Sequence, residues 1–309
     1  MLRFWILFNV FAVGLLVLDL LVLHRRGRAM RSGEALAWSG GWVSLAAGFA
    51  VLMFFWQGRQ VSLEFVTGYL LELSLSVDNL FLFLVIFRYF AVPEQLQRGV
   101  LFWGVLGALL MRGVFIVTGV RLISHFHWLL YLFGALLVYS GIRLGISGEH
   151  KVDPSRSGVV KFLRRLVPVT DEYRGGKFFV TGWKGNSGLY ATPLLIALVV
   201  IETTDLLFAV DSIPAVLSVT LNAFIAYTSN VFAILGLRSL YFAVAGLMKV
   251  FRFLHFGLAL VLIFVGVKMI IKDYFVISTP VTLSGIAGLL GVSIVASIMF
   301  PKQDAESPA

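Results

Sequence analysis

Nine mostly apolar stretches follow one another along the chain, near positions 4–23, 36–56, 63–87, 99–120, 126–146, 189–217, 222–247, 254–272 and 280–300. The hydrocarbon core of a bilayer is about 30 Å thick and takes roughly 20 helical residues to cross. Lipid offers backbone groups no hydrogen-bond partner, so each crossing segment must satisfy its own peptide groups as a helix. The runs predict an all-α polytopic membrane protein with about nine transmembrane helices. Its 13% of charged residues, against about 25% in ordinary soluble domains, leave too little polar surface for a water-soluble fold.

Short cytoplasmic loops are enriched in Lys and Arg, so the connections set the orientation. With the N terminus outside, 17 basic residues fall inside, eight of them in the 148–188 loop. Only Arg3, Arg59, Arg121 and Lys272 fall outside, and Arg112, Arg143, Arg238 and Lys268 lie within helices. The C terminus is then cytoplasmic. A net charge of +9 reflects this topology and attraction to anionic lipid rather than nucleic acid. The first helix has no small-residue cleavage site and runs into HRRGR, which reads as an uncleaved anchor. Trp5, Trp38, Trp56 and Trp128 sit near helix ends as interfacial anchors. With no cysteine, thiolate ligands, disulfides and thiol catalysis are excluded in this chain.

Two strings place carboxylates inside the apolar runs: ELSLSVDNLF, from Glu72 to Phe81, and ETTDLLFAVDSIPAV, from Glu202 to Val216. Overlaid on their common Val-Asp pair, Glu72 falls on Asp205, Asp78 on Asp211 and Asn79 on Ser212. Ionisable groups in a bilayer are costly, face protein or water rather than lipid, and mark ion and proton pathways. More than the strings repeats. LGALLMR ends at Arg112 and LGLR at Arg238, and GIRL around Arg143 answers GVKM around Lys268. Three helices separate the copies, so helices 3–5 and 6–8 form a predicted inverted repeat, an architecture whose substrate site lies near the midplane. Pro214 provides a means of interrupting the sixth helix, and Ser74 and Ser76 a means of bending the third. The chain divides into helices 1 and 2 (1–62), the first repeat (63–147), a cytoplasmic loop (148–188), the second repeat (189–272) and the ninth helix with a tail (273–309).

At 100° per residue, Glu72 and Asn79 share a face with Asp78 to one side. Asp205, Ser212 and Asp211 are arranged alike, with Glu202 one turn before Asp205. Should the third and sixth helices cross at the midplane, these carboxylates and neutral oxygens converge as an all-oxygen set. Mg²⁺, Mn²⁺ and Ca²⁺ favour such ligands, whereas zinc and copper draw on His, Cys or Met. The five histidines all lie at helix ends or in loops. Arg112 and Arg238 need carboxylate or carbonyl partners in the bilayer; they either hold the resting bundle together or exchange with an entering cation. Asn230 is a further ligand or a bond between helices. Asp19 reaches either the cytoplasmic interface or the bundle. In the loop, VVKFLRRLV reads as a basic amphipathic helix on the membrane surface and KFFVTGWKGNSG as a small hairpin.

ELSLSVDN, AVDSIPAV, TSNVFAILGLR and LRRLVPVTDEYRGGKFF together resemble the TerC family in its Alx-like branch, over most of the length. The resemblance implies a multi-pass bacterial inner-membrane protein of the LysE-like transporter superfamily, associated with tellurium resistance in name and manganese export in several members. It also implies metal-site positions at Glu72, Asp78, Asn79, Asp205, Asp211 and Ser212, with Asp19 and Glu202 as additions. An acidic cavity repels an oxyanion, so a cation is the expected cargo and any tellurite resistance is indirect. The reading is a secondary transporter exporting divalent cations, most of all Mn²⁺, and not an enzyme, with no prosthetic group and the metal as transported ligand. Its partners are that ion, the lipid bilayer, and other membrane proteins or further copies of the chain. A rival is a membrane scaffold that binds partner proteins in metal or tellurite stress and helps metalate exported enzymes. An intramembrane aspartic enzyme, using Asp78 and Asp211, lacks a soluble substrate domain. No GxxxxGK[ST] string marks a direct ATPase.

Overall fold

The computed structural model describes residues 2–24, 32–147, 160, 165, 167–170, 172–183, 186–247 and 253–299, with a few helical side chains also outside the description. Among these residues run nine helices: α1 (Leu2–His24), α2 (Ser32–Gln57), α3 (Arg59–Tyr89), α4 (Glu94–His125), α5 (Leu129–Ser147), α6 (Pro193–Leu217), α7 (Ala223–Leu247), α8 (Leu254–Ile270) and α9 (Thr279–Met299). The nine apolar runs thus become nine helices. Seven are long and apolar enough over their described residues to cross a membrane; α1, over Arg3–Leu18, and α8 are apolar over shorter lengths. At 1.5 Å per residue the 31 residues of α3 and 32 of α4 extend about 46 to 48 Å, more than the apolar core needs.

Punctuation follows local chemistry. Gly58, at φ 93°, separates α2 from α3, a conformation that costs a residue without Cβ little. The sixth helix starts at Pro193, four residues later than the apolar run suggests. Thr192 is extended (φ −94°, ψ 162°), as a residue before proline must be, and Pro193 takes the first helical turn, where no N–H is missed. The residues ahead of it form the expected hairpin. β1 (Phe179–Trp183) pairs antiparallel with β2 (Asn186–Ala191), Phe179 opposite Ala191, with an irregularity between Thr181 and Trp183 around Gly182 (φ 73°). Pro214 does not interrupt α6. It lies in the last turn, and the Ser218 N–H donates to its carbonyl (2.9 Å). Of the expected amphipathic helix in the loop, only Val160, Arg165 and Val167 are described, the first two helical.

α3 and α7 are the most enclosed helices, whereas Leu110, Val114 and Leu122 of α4 and Val292, Val295 and Ile298 of α9 stand exposed, as lipid-facing side chains do. Phe8, Phe49, Phe65 and Phe232 pack with tilted and edge-on rings as one cluster that fastens α1 and α2 onto α3 and α7. Trp56 and Trp128 are about half exposed (47% and 59%), as anchors at the membrane surface would be. Tyr173 ties the loop to the end of α3, its hydroxyl donating to the Phe90 carbonyl (2.5 Å).

α3 packs on α6, α4 on α7 and α5 on α8. The last pair is the closest. A Cβ on Gly141 would lie 2.7 Å from the Ala259 carbonyl oxygen, and one on Gly266 would lie 2.6 Å from that of Gly134. The helices run antiparallel, and small residues let their backbones touch, as in other membrane bundles. Leucine at Gly141 or Gly266 forces α5 and α8 apart and is expected to cost about 1–3 kcal/mol or more, read as a lower melting temperature in detergent. Gly14→Leu, with open space around its Cβ, should leave that temperature in place.

Candidate metal-ion site between α3, α4 and α6

Glu72, Ser76 and Asn79 recur along one face of α3, at steps of four and three residues, and all three are buried. α6 supplies Asp205 (5% exposed) and Ser212 (2%), two turns apart. Between them α4 places Arg112, the largest fully buried side chain, at 1% exposure. Its Nη1 forms an ion pair with Glu72 Oε1 and donates to Ser212 Oγ (3.4 Å). Nη2 donates to Asp205 Oδ1 (3.1 Å) and Nε to Asp205 Oδ2 (3.4 Å), the two-pronged grip that a planar guanidinium offers a carboxylate. Ser76 Oγ also donates to Glu72 Oε1 (3.4 Å). Glu72 Oε2 is buried without a partner among the described residues. Among the described residues, two carboxylates therefore face one guanidinium.

Beside this cluster lies a cavity of about 70 Å³, lined by Asn79, Ser140, Arg143, Asp211 and Ser212 together with apolar residues of α3, α5, α6 and α8. A water needs roughly 10–15 Å³ of such space, so the cavity has room for a small cation with part of its hydration. Ser140 Oγ donates to Asp211 Oδ1 (2.8 Å). Ser212 belongs to both groups, bonded to Arg112 and lining the cavity. The ion-pair cluster is thus the cavity's neighbour across a single residue.

The structure divides the set that the sequence expects to converge. Glu72 and Asp205 meet on Arg112, while Asn79, Asp211 and Ser212 meet at the cavity. Glu202 joins neither. Its carboxyl lies over Gly104 and Gly107 of α4, so close that a Cβ on Gly107 would overlap its oxygens, and Oε2 is buried without a partner among the described residues. The side chains of Asp19, Asp78 and Arg238 lie outside the described ones, although all three positions fall within helices. Among the described residues no three His, Cys, Asp or Glu side chains gather as a metal-binding group, because the guanidinium occupies the space between Glu72 and Asp205. Asn230 is 1% exposed, and neither its amide nitrogen nor its oxygen has a partner among the described residues.

Sequence reasoning missed Ser140, the partner of Asp211. Its signal was slight: a polar residue within an apolar run, directly before the Gly141 that brings α5 onto α8. Arg143, noted only as part of the repeat, lines the cavity.

The family profile described as integral membrane protein TerC family matches residues 57–305. The chain belongs to the TerC family. Among its relatives, this TerC-family chain is 45% identical over 308 residues to an uncharacterized membrane protein, STKORF319, of Myxococcus xanthus, covering 98% of this chain and 96% of that one. It is 44% identical over 301 residues to proteins of Salmonella typhi and Escherichia coli (strain K12), covering 94% of this chain and 92% of each. Both carry the provisional name membrane-bound redox modulator Alx. No solved structure matches.

Removing the cation from this cluster leaves two buried anions unpaired, which costs about 3–5 kcal/mol for a pair broken at one partner. Arg112→Met is expected to lower the melting temperature in detergent sharply, and adding Glu72→Gln and Asp205→Asn should recover most of the loss. At the neighbouring notch, Gly107→Ala is expected to displace the Glu202 carboxyl. A double-mutant cycle of Gly107→Ala with Glu202→Gln, read by thermal unfolding, should then show coupling rather than additivity.

Proposed function

We propose that this TerC-family membrane protein is a secondary transporter that exports hard divalent cations, Mn²⁺ above all, from the bacterial cytoplasm. The observation that carries the reading is the cavity lined by Asn79, Asp211, Ser212 and Arg143, set against a buried cluster with more carboxylate than guanidinium among the described residues. Carboxylate, amide and hydroxyl oxygens are the ligands that hard divalent ions take. Asp78, one residue from Asn79, belongs to the same proposed ligand set by the sequence overlay.

Arg112 supplies the coupling in this scheme. Without cargo, its charge satisfies Glu72 and Asp205. A divalent ion entering the cavity repels the guanidinium and competes for Ser212 and, through it, for the acids. Arg112 then gives up part of its pairing, or a carboxyl takes a proton when the ion leaves. Either change alters how α3, α4 and α6 are held together, which is the differential interaction that a conformational switch requires. The inverted relation of helices 3–5 and 6–8 belongs to the same proposal. It is supported by the matched motifs and by the paired glycine contacts of α5 with α8, in which Gly141 meets Ala259 as Gly266 meets Gly134. With that relation come a midplane site and alternating access, with the N terminus outside and the loop and C terminus in the cytoplasm.

The provisional name of the Alx relatives brings redox modulation into view. This chain has no cysteine, so a redox effect here would follow from the metal it moves rather than from thiol exchange. A scaffold that acts by binding partner proteins is the reading that the decisive experiment separates from transport.

That experiment is radiolabelled Mn²⁺ flux into vesicles containing the purified chain, for wild type, Asp78→Asn and Asp211→Asn. Each substitution removes one charged oxygen, and a loss of about 1.4 kcal/mol in cation binding already means tenfold weaker binding. Flux at low Mn²⁺ is expected to fall about tenfold or more in both variants. Equal flux in all three proteins would sink the site, and no flux above empty vesicles would favour the scaffold.

A further inference from the structure

The corner between α8 and α9 holds a second cavity, of about 130 Å³, lined by none of the residues that line the first. It carries two lysines, Lys268 in the last turn of α8 and Lys272 just beyond it, beside an apolar lining that includes Leu130, Met269, Phe275 and Ile277. Lys268 is half-buried, and its Nζ donates to the Ser218 carbonyl at 3.4 Å, a long bond that uses one of three N–H donors. Among the described residues, neither lysine forms an ion pair.

The acids nearby hold hydrogen bonds of their own and reach the lysines only through space. Asp273 follows Lys272 in the chain, but its Oδ2 accepts the Tyr131 hydroxyl hydrogen (2.5 Å) and its Oδ1 lies 3.5 Å from His127 Nε2. Those bonds, Tyr131's first, hold its carboxyl below the ordinary carboxylate range, so it stays an anion turned to the α4–α5 corner. Glu64 of α3, within electrostatic reach of Lys268, accepts a hydrogen bond from Gln60 (3.0 Å). Two ammonium groups thus line the cavity without an ion pair among the described residues, with the Asp273 and Glu64 carboxylates at longer electrostatic range.

Its rim indicates the setting. Tyr274, Phe275 and Val276 are 88%, 71% and 83% exposed, three bulky side chains thrust out of a connection between two membrane helices. Such residues belong at the level of the lipid headgroups, where aromatic rings settle. A ligand there meets two ammonium groups and an apolar wall at once.

We propose that this cavity binds the headgroup phosphate of an anionic phospholipid, with Lys268 and Lys272 on the phosphate oxygens and Leu130, Met269, Phe275 and Ile277 against the glycerol and the first acyl carbons. The lipid bridges the ends of α5, α8 and α9 and so braces the tightly packed α5–α8 pair from outside the transport site. A zwitterionic lipid carries the same phosphate with its own ammonium beside it, and a soluble phosphate lacks the acyl chains; both bind more weakly.

The test uses the full chain, stripped of lipid in a neutral detergent and titrated with phosphatidylglycerol, phosphatidylethanolamine or glycerol 3-phosphate. Bound lipid is counted by native mass spectrometry, and melting temperature is followed in parallel. Phosphatidylglycerol is expected to bind wild type tightest and raise its melting temperature. Near a membrane surface each Lys contributes about 1 kcal/mol of attraction to anionic lipid, roughly fivefold in affinity. Lys268→Gln with Lys272→Gln should therefore weaken phosphatidylglycerol binding by roughly 25-fold. Lys272→Gln alone alters an exposed residue that the fold does not rely on, and should weaken it by roughly fivefold even if the double variant fails to fold. Equal binding of the two lipids, displacement of lipid by glycerol 3-phosphate at equal concentration, or unchanged affinity in Lys272→Gln would each overturn the proposal.

Discussion

One guanidinium organises the interior of this protein. Arg112 leaves α4 in the middle of the bundle and binds an acid on α3 and an acid on α6, so three helices are held by one side chain. Moving charges out of water costs several kcal/mol per ion even after relaxation. An arrangement of this kind persists only when each charge finds opposite charge and hydrogen bonds at close range. Arg112 meets that requirement with Glu72, Asp205 and Ser212. Asp205 meets it as well, with both oxygens on Arg112, whereas Glu72 Oε2 has no partner among the described residues. Among the described residues, the centre of the bundle therefore sets two carboxylates against one guanidinium.

That imbalance gives the adjoining cavity its meaning. An apolar void in the same place would attract nothing charged. The cavity is walled by Asp211, Asn79 and Ser212 together with Arg143, one hydroxyl away from the Arg112 cluster. The shared Ser212 makes the two groups interdependent: whatever draws on its oxygen from the cavity side weakens its bond to Arg112 from the other.

The surroundings are built for rigidity in some places and adaptability in others. α5 and α8 touch through glycine and alanine with little freedom to slide. An aromatic cluster of Phe8, Phe49, Phe65 and Phe232 locks α1 and α2 to the central helices, and the hairpin with Tyr173 ties the loop to the end of α3. Asn230 and Glu202 stand apart from this order. Both bury polar atoms that have no partner among the described residues, the kind of unmet demand found where a structure changes state or takes a ligand.

The number of helices and the membrane setting were legible in the residues themselves, because the bilayer imposes one requirement that each segment must meet locally: about 20 apolar residues with internally satisfied peptide groups; the extra length of α3 and α4, 31 and 32 residues, was not. The acidic strings were legible for the same reason, as charges are conspicuous in such runs, and the hairpin from its β-type residues between glycines. Helical periodicity could say that Glu72 and Asn79 share a face of α3, but not what that face meets. Several helices packing together decided that Arg112 would stand between Glu72 and Asp205, that Glu202 would rest on Gly107, and that Ser140 would bond to Asp211. A local period sets the angles between side chains on one helix, whereas the rotation of that helix among its neighbours is settled only when all of them bury their surfaces at once.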